Sequence, residues 1–294
     1  MEVSCGQCLG CRCDRARHWA LRIAHESDLH DSSCFITLTY RDKDVCNEAQ
    51  LKEKLHIPDD WSLRHDHVQK FLKRLRKRIA PQKVRYYMCG EYGNRCIHNV
   101  DLDVYPHDSC KVGRPHYHLC LFGFSPPVGE WLSDTVRESP WLDDVWKYGF
   151  TSVGELNYQS AAYVAQYVLK KVTGKNADDH YMRIDEETGE RIWLDHEYTR
   201  MSLRPGIGKE WFDKFHSDVF PSDEVPQPGG GVIKGTPRYY DKLLEKAMPD
   251  VYAVVKEDRQ KFITENKEDF TPQRLWSKYK VKKAELELFQ KRDL

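Results

Sequence analysis

Two histidines are spaced so that they could offer one metal ion a pair of nitrogen ligands. His116 and His118 lie in the run "HYHLCLFGF" (116–124), which predicts a β-strand. Residues i and i+2 of a strand point to the same face, so the two imidazoles project side by side, while Tyr117 and Leu119 point to the opposite face and suit a core. Neutral imidazoles bind transition ions such as Mn²⁺ or Zn²⁺ better than Mg²⁺. For an isolated His-x-His pair, two hydrogen-bonded histidines without a metal remain the alternative.

A metal site of this kind needs a further ligand, and Glu91 is the candidate carboxylate. It lies in "VRYYMCGEYG" (84–93), a second predicted strand that ends at a glycine turn. If this strand pairs with residues 116–124, Glu91 reaches the same ion as the imidazoles. A solvated glutamate in a turn is the alternative.

A predicted helix adds phenols to the candidate chemistry. In "SAAYVAQYVLKKVTG" (160–174), Tyr163 and Tyr167 are four residues apart and share one helix face, with Lys170 close to it. Tyrosine can act as a covalent nucleophile when a metal or base activates it, and a neighbouring cation favours the phenolate and neutralises phosphate charge. Simple core packing of the two rings is the alternative.

The elements that must position these residues follow from hydrophobic periodicity. The run "CFITLTY" (34–40) predicts a strand, residues 15–27 a helix, and residues 181–194 a β-hairpin. The clearest helix spans 66–81, with Asp66 as a predicted capping-box N-cap. Helices and strands alternate at irregular spacing, which favours an α+β fold with a central antiparallel sheet flanked by helices.

Composition bounds the domain organisation. The chain has 294 residues, of which 40% are hydrophobic and 31% charged, which suffices for a sizeable globular core. We divide it into a cysteine cluster (1–14), a main domain (15–224), a Pro/Gly-rich linker (225–237) and a C-terminal helical segment (238–294). The formal net charge of zero neither supports nor excludes nucleic-acid binding. No apolar run approaches the ~18 residues of a membrane helix, and no signal peptide is recognisable, so a cytoplasmic protein without membrane contact is expected.

Four of the ten cysteines fall within the first thirteen residues: Cys5, Cys8, Cys11 and Cys13. Without a secretion signal, disulfides are not expected, and this spacing permits a structural Zn²⁺ site. Reduced thiols, or packing against the next helix, are the alternative. The other six cysteines are scattered, and we interpret them as small buried hydrophobic residues.

The helix at 66–81 carries a dense positive charge that could follow a phosphate backbone and make binding salt-dependent. Its basic residues are Lys70, Lys73, Arg74, Arg76, Lys77 and Arg78. Arg114, next to the histidine pair, is a further candidate DNA contact. A solvated helix face is the alternative.

Taken in order, "FITLTY", "GEYG", "RPHYHLCLFG" and "YVAQYVLKK" resemble the HUH endonuclease family, and in particular the replication initiator proteins of the Microviridae, with closest likeness to the gokushovirus group. The N-terminal "CGQCLGCR" and the later "MSLRPGIGKEWF" and "TPRYYDKLL" also resemble that group. The resemblance covers residues 5 to about 245.

This resemblance implies a specific division of roles. His116, His118 and Glu91 would hold a divalent metal, Mn²⁺ or Mg²⁺, while Tyr163 and Tyr167 would be the nucleophiles and Lys170 would contact the scissile phosphate. The implied function is rolling-circle replication of a single-stranded DNA phage, by nicking and rejoining single-stranded DNA through a 5′-phosphotyrosine intermediate.

The resemblance also implies partners and rivals. The partners would be a single-stranded DNA origin in the host bacterial cytoplasm and, for the C-terminal helices, a host helicase or polymerase. One rival is an HUH transposase or relaxase, although a relaxase would be expected to place its tyrosines near the N-terminus. The other is a non-catalytic nucleic-acid-binding protein with a zinc knuckle.

Overall fold

A computed structural model describes residues 5–105, 107–227 and 230–290, and within these the side chains of 167–170 and 287–290 are not described. Within these ranges the strands are β1 Ser33–Tyr40, β2 Arg85–Tyr92, β3 Pro115–Phe122, β4 Val136–Glu138, β5 Gly149–Glu155, β6 Met182–Ile184, β7 Arg191–Trp193, β8 Tyr198–Met201, β9 Glu224–Pro226 and β10 Val232–Lys234. The helices are α1 Leu9–Ser27, α2 Glu48–Lys52, α3 His65–Ile79, α4 Pro140–Trp146, α5 Tyr158–Lys170, α6 Ala177–His180, α7 Lys209–Val219, α8 Arg238–Ala247, α9 Pro249–Glu265 and α10 Pro272–Gln290.

In the described part of the chain, six strands form one antiparallel sheet in the order β4-β5-β1-β3-β2-β8. β3 lies inside the sheet, between β1 and β2, so that His118 is opposite Thr37 on one side and opposite Cys89 on the other. The three strands predicted from sequence around the histidine pair are present, with small differences at their ends. The predicted α+β class with a central antiparallel sheet is confirmed.

The two faces of this sheet have different roles. Tyr117, Leu119 and Leu121 of β3 are fully buried, and they share a core cluster with apolar residues of α3 and α4. The alternate residues of β3, His116 and His118, face the other side, where α1 and α5 pack. The alternation predicted from sequence is therefore present, and the imidazoles lie on the face that α3 does not cover.

The helix α3 buries the predicted apolar stripe, but its predicted cap is wrong. Val68, Phe71 and Leu75 are fully buried. The N-cap residue is Arg64, which makes no side-chain capping bond, and Asp66 instead forms an ion pair with Lys70 at 2.8 Å. Because the helix begins at His65, Asp66 lies inside its first turn and its carboxylate reaches the next turn.

The helix α5 is held by a capping box and by close packing on α1. Asn157 caps the helix and Ser160 closes the box, so the predicted cap at Ser160 is displaced by three positions. Ala16 and Ala20 of α1 pack with Ala165 of α5, and these small side chains let the two helix backbones approach closely. This contact fixes the position of α5 over the sheet face that carries the imidazoles.

The N- and C-terminal boundaries of the expected main domain differ from the observed elements. α1 begins at Leu9, within the cysteine-rich segment. The expected linker 225–237 contains the β9–β10 hairpin, and Val225 in it is fully buried in a cluster with Tyr240 of α8. Burial of these apolar residues against α1 and α7 attaches α8 to the same body as the sheet. No helix in the described ranges is long and apolar enough to cross a bilayer.

His25 of α1 lies in this C-terminal cluster and should make the protein less stable in acid. The residue is 1% exposed, its ring stacks on Trp211 with centroids 3.6 Å apart, and its Nδ1 lies 2.9 Å from the hydroxyl of Tyr240. Burial lowers the pKa of His25 from 6.5 to about 4. As the pH falls below the ordinary pKa of histidine, the unfolded chain gains a proton here and the folded chain does not, so the free energy of unfolding decreases.

Chemical denaturation of the wild type and of His25→Gln at about pH 7.5 and about pH 4.5 checks this expectation. The wild type should lose about 2–3 kcal/mol more than the variant between the two conditions, because one pKa unit corresponds to about 1.4 kcal/mol. The higher pH is the control, since His25 is neutral there in both states and any difference reflects lost packing alone. An equal loss for both proteins would contradict a buried neutral His25.

Candidate metal centre

Two imidazoles and one carboxylate meet on the α5 side of the sheet. Glu91 on β2 is the direct cross-strand partner of His116 on β3. Its Oε1 lies 2.7 Å from His116 Nε2 and 3.6 Å from His118 Nε2. Glu91 is 3% exposed and His118 5% exposed. The three residues singled out from sequence as metal ligands therefore lie together in a largely buried cluster.

The other nitrogen of each ring is anchored by a neighbour. His116 Nδ1 lies 3.2 Å from the carbonyl oxygen of Arg114, so it is the protonated nitrogen and donates this bond, which leaves the lone pair on Nε2. His118 Nδ1 lies 3.0 Å from the hydroxyl of Thr37 on β1. Histidines that bind metals in proteins commonly have their second nitrogen oriented in this way. Both Nε2 atoms are thereby turned towards Glu91.

The charge of the cluster also suits a cation. Burial disfavours the ionised form of Glu91, but hydrogen bonds and the charges of His116 and His118 outweigh burial and lower the pKa of Glu91 to about 2. The carboxylate is therefore negative at neutral pH. Two nitrogen ligands and one anionic oxygen ligand fit a divalent transition ion such as Mn²⁺ or Zn²⁺.

Tyr163 places an aromatic ring beside this cluster. Its ring centroid lies 5.5 Å from that of His118, in an edge-to-face arrangement. Phe35 of β1 stacks on His118 with the two ring centroids 5.4 Å apart, and it meets Tyr163 edge-on at 6.2 Å. The phenol of α5 is thus held next to the candidate ligands by aromatic contacts. Tyr167 and Lys170 belong to the same helix, but their side chains lie outside the described residues.

An open groove of about 1070 Å³ runs past the cluster. Thr37, His118 and Tyr163 lie on its wall, together with Trp131 and Arg137 from the connection before β5. Trp131 is 64% exposed, and the guanidinium of Arg137 lies 5.2 Å from its ring centroid. An exposed aromatic ring and a cation are the groups that bind bases and phosphates of single strands. The sequence analysis missed both residues, because the irregular segment 125–150 has no periodic pattern that would indicate which side chains face the groove.

The basic helix α3 lies on the opposite face of the sheet from the histidines. Several of its cations already bind within the protein: Arg74 donates to the carbonyl oxygens of Val145 and Trp146 at 2.7 and 2.8 Å, and Arg78 lies 4.4 Å from the ring centroid of Trp141. The remaining side chains at the surface are Lys73, Arg76 and Lys77. The structure does not bring these cations to the metal cluster, and their role as DNA contacts stays a prediction.

Arg114, by contrast, directly precedes β3 and adjoins the cluster. Its guanidinium donates to Asp42 and to the carbonyl oxygen of Tyr40, each at 2.6 Å. The same residue provides the carbonyl that anchors His116. Arg114 is therefore well placed to hold the end of β3 in position, and its contact with DNA stays a prediction.

The N-terminal cysteines form a group of three. The candidate ligand atoms of Cys5, Cys8 and Cys11 lie within 4.8 Å of one another, and Cys13 is not part of that group. A hydrogen bond from the backbone N–H of Cys8 contributes most to lowering the pKa of Cys5 to about 7. The predicted zinc site at these four residues stays a prediction.

Comparison with known proteins adds a second line of evidence. Residues 33–99 and 107–172 match the family model that describes replication-associated proteins of the ORF2 type. These segments contain Glu91, His116, His118 and Tyr163.

Three phage and virus proteins are similar over most of the chain. Replication-associated protein VP4 of Bdellovibrio phage phiMH2K is 30% identical over 261 residues, which is 84% of this chain and 68% of that protein. Replication-associated protein ORF2 of Spiroplasma virus 4 is 29% identical over 88% of this chain and 73% of its own length. Replication-associated protein ORF4 of Chlamydia phage 1 is 25% identical over 84% of this chain and 55% of its own length. No solved structure shows significant similarity.

Proposed function

Because this chain belongs to the family of replication-associated proteins of the ORF2 type, we propose that it starts phage DNA replication by cutting a single DNA strand with a tyrosine and later rejoining the ends. The reaction is a metal-dependent transesterification of the HUH type. The observation that carries the proposal is the common orientation of His116 and His118 towards Glu91, with the ring of Tyr163 beside them.

The residues assign a role to each part of the cluster. Glu91, His116 and His118 would hold a divalent ion, which when bound supplies positive charge to a phosphoryl oxygen. Thr37 and the Arg114 carbonyl keep both imidazoles oriented with Nε2 inwards. Since the ligands and their anchors belong to three adjacent strands or directly precede one, the site is held by the sheet itself and does not depend on a long loop.

Tyr163 is the proposed nucleophile in this arrangement. Its phenol oxygen forms a bond to phosphorus, while the bond between phosphorus and the 3′ oxygen breaks. The phenol proton is lost and the departing 3′ oxygen gains one, which gives a 5′-phosphotyrosine link and a free 3′-hydroxyl. The energy of the broken phosphodiester is kept in the new one, so the reverse reaction can rejoin DNA without a nucleotide cofactor. A second tyrosine at position 167 would permit a second transfer after one round of synthesis.

Single-stranded DNA is the substrate that the groove fits best. The groove is open, passes Tyr163 and His118, and also has Trp131 and Arg137 on its wall. Stacking on an exposed ring and phosphate contact by a cation are sequence-tolerant and need unpaired bases. We therefore place the scissile phosphate between Tyr163 and the metal ligands, with a flanking base near Trp131.

A direct assay tests this function. End-labelled single-stranded oligonucleotides that tile the DNA carrying this gene are incubated with the protein and Mn²⁺, then denatured and separated on a gel. We expect a covalent protein–DNA band and a free 3′-hydroxyl fragment from one oligonucleotide, and neither product with EDTA or with the same sequence as a duplex. Tight binding of DNA without any adduct or cut strand would overturn the proposal in favour of a non-catalytic DNA-binding protein.

A further inference from the structure

A second cluster of metal-binding side chains lies in the long connection between β2 and β3. Its two ends are joined by backbone hydrogen bonds, from Gly93 N to Arg114 O at 2.9 Å and from Gly113 N to Gly93 O at 3.0 Å. Between them the sequence carries two pairs of metal-binding residues, Cys96 with His98 and His107 with Cys110. None of these four residues has a role in the proposed DNA reaction.

The four side chains converge although they come from both ends of the connection. Cys96 and Cys110 are 1% and 2% exposed and are both free thiols. The ligand atoms of Cys96, His107 and Cys110 lie within 4.8 Å of one another, and so do those of His98, His107 and Glu186. The imidazole of His107 is shared between the two groups, so one ring links the sulfur atoms to the second histidine.

A carboxylate from another element orients the two imidazoles. Oε1 of Glu186, in the β6–β7 turn, lies 3.6 Å from His98 Nε2 and 3.7 Å from His107 Nε2. The other ring nitrogen of His107, Nδ1, is buried and has no hydrogen-bond partner among the described residues. A carboxylate on one nitrogen and a metal on the other is the common arrangement of zinc-binding histidines. The buried Nδ1 therefore has the surroundings of a ligand atom.

We propose that Cys96, His98, His107 and Cys110 bind one structural Zn²⁺ ion, with Glu186 as the carboxylate that positions the two histidines. Two sulfur and two nitrogen ligands match the tetrahedral coordination of structural zinc. Binding releases the two thiol protons to solvent, and both imidazoles bind in their neutral form. His98 is partly exposed, with 34% of its side chain accessible, so its ring can turn towards the ion.

Such an ion would stabilise a segment that has little regular structure. The described part of this connection contains isolated bridges, between Arg95 and Asp101 and between His107 and Cys110. The same ion would attach the connection to the β6–β7 hairpin, which already contacts it through Ser109 and Glu186 at 2.7 Å. Because the connection joins the ends of β2 and β3 that carry Glu91 and His116, the zinc site would support the catalytic cluster without taking part in the reaction.

Metal content measured in matched variants tests the site. The N-terminal cysteines Cys5, Cys8, Cys11 and Cys13 are first changed to serine in the full-length chain, so that they cannot contribute. This background, purified with a thiol reductant and without chelator, should contain one zinc per chain and retain it when Glu91→Gln is added. Cys96→Ser and Cys110→Ser should remove it, whereas Cys46→Ser, a cysteine outside the cluster, should leave it in place. Glu186→Gln should weaken zinc affinity about 10–100-fold.

A spectroscopic measurement covers the case in which the cysteine variants fail to fold. Zinc X-ray absorption of the background chain should show two sulfur and two nitrogen ligands. A shell of only nitrogen and oxygen, unchanged zinc content in Cys110→Ser, or a Cys96–Cys110 disulfide found by mass spectrometry in the freshly purified chain would each overturn the proposal. None of these results depends on DNA cleavage, so they test the zinc site independently of the proposed function.

Discussion

Changing Tyr163 and Tyr167 together to phenylalanine should abolish the covalent protein–DNA adduct. Phenylalanine keeps the ring of Tyr163 that packs beside Phe35 and His118, but it removes the oxygen that would attack phosphorus. Loss of a nucleophile that cannot be replaced lowers the rate by at least about 10³-fold. Each single variant should retain part of the cleavage, because the second phenol on the same helix face can substitute for the first. The measurement is the amount of labelled adduct formed with Mn²⁺.

The matched control for this prediction is Tyr158→Phe. Tyr158 begins the same helix, but it packs against α1 and the C-terminal helices, so its hydroxyl should not matter for adduct formation. Thermal unfolding of all variants shows whether α5 remains folded. Residual adduct in the double variant at the wild-type level would contradict the assignment of these tyrosines.

Replacing a metal ligand should have the next largest effect. Glu91→Gln removes the negative charge between two imidazoles, and His116→Ala removes one nitrogen ligand, so each should lower the rate of strand cleavage by about 10²–10⁴-fold, the range for loss of a main charge-stabilising group. Mn²⁺ affinity, measured by calorimetry, should decrease in parallel. Binding of uncut single-stranded DNA should change much less, because the groove extends well beyond the ion.

Two threonines on β1 provide a graded comparison. Thr37→Val removes the hydroxyl that contacts His118 Nδ1 at 3.0 Å, and should weaken Mn²⁺ affinity about 10–100-fold. The hydroxyl of Thr39 donates instead to the carbonyl of Phe150, so Thr39→Val should leave Mn²⁺ affinity close to wild type. Wild-type cleavage by Glu91→Gln, or equal effects of the two threonine changes, would contradict the metal centre.

Local sequence patterns determined much of the sheet and which residues face one another. The two-residue period of a strand is a property of the backbone, so the placement of His116 and His118 on one face, and of Tyr117 and Leu119 on the other, could be predicted without any partner strand. The same holds for the apolar stripe of α3, because the 3.6-residue period of a helix fixes which of its residues share a face.

Only the tertiary structure decided which distant residues meet. Glu91 could be predicted as a ligand only on the condition that β2 pairs with β3, and the observed register places it opposite His116. The anchoring of His118 by Thr37 depends on the register between β1 and β3, which no local pattern reveals. The side of the sheet occupied by α3 likewise depends on packing, and it separates the predicted basic surface from the histidines.

The four residues in the β2–β3 connection show the same limit most clearly. In sequence, Cys96 and Cys110 are isolated cysteines, and interpreting them as small buried residues accounts for their burial but not for their neighbours. They come together with His107 because the ends of the connection are joined at Gly93 and Gly113. The sequence by itself determined the periodic faces, since these arise from backbone geometry over a few residues. The tertiary structure decided the two clusters, since each depends on contacts between segments whose separation along the chain carries no periodic signal.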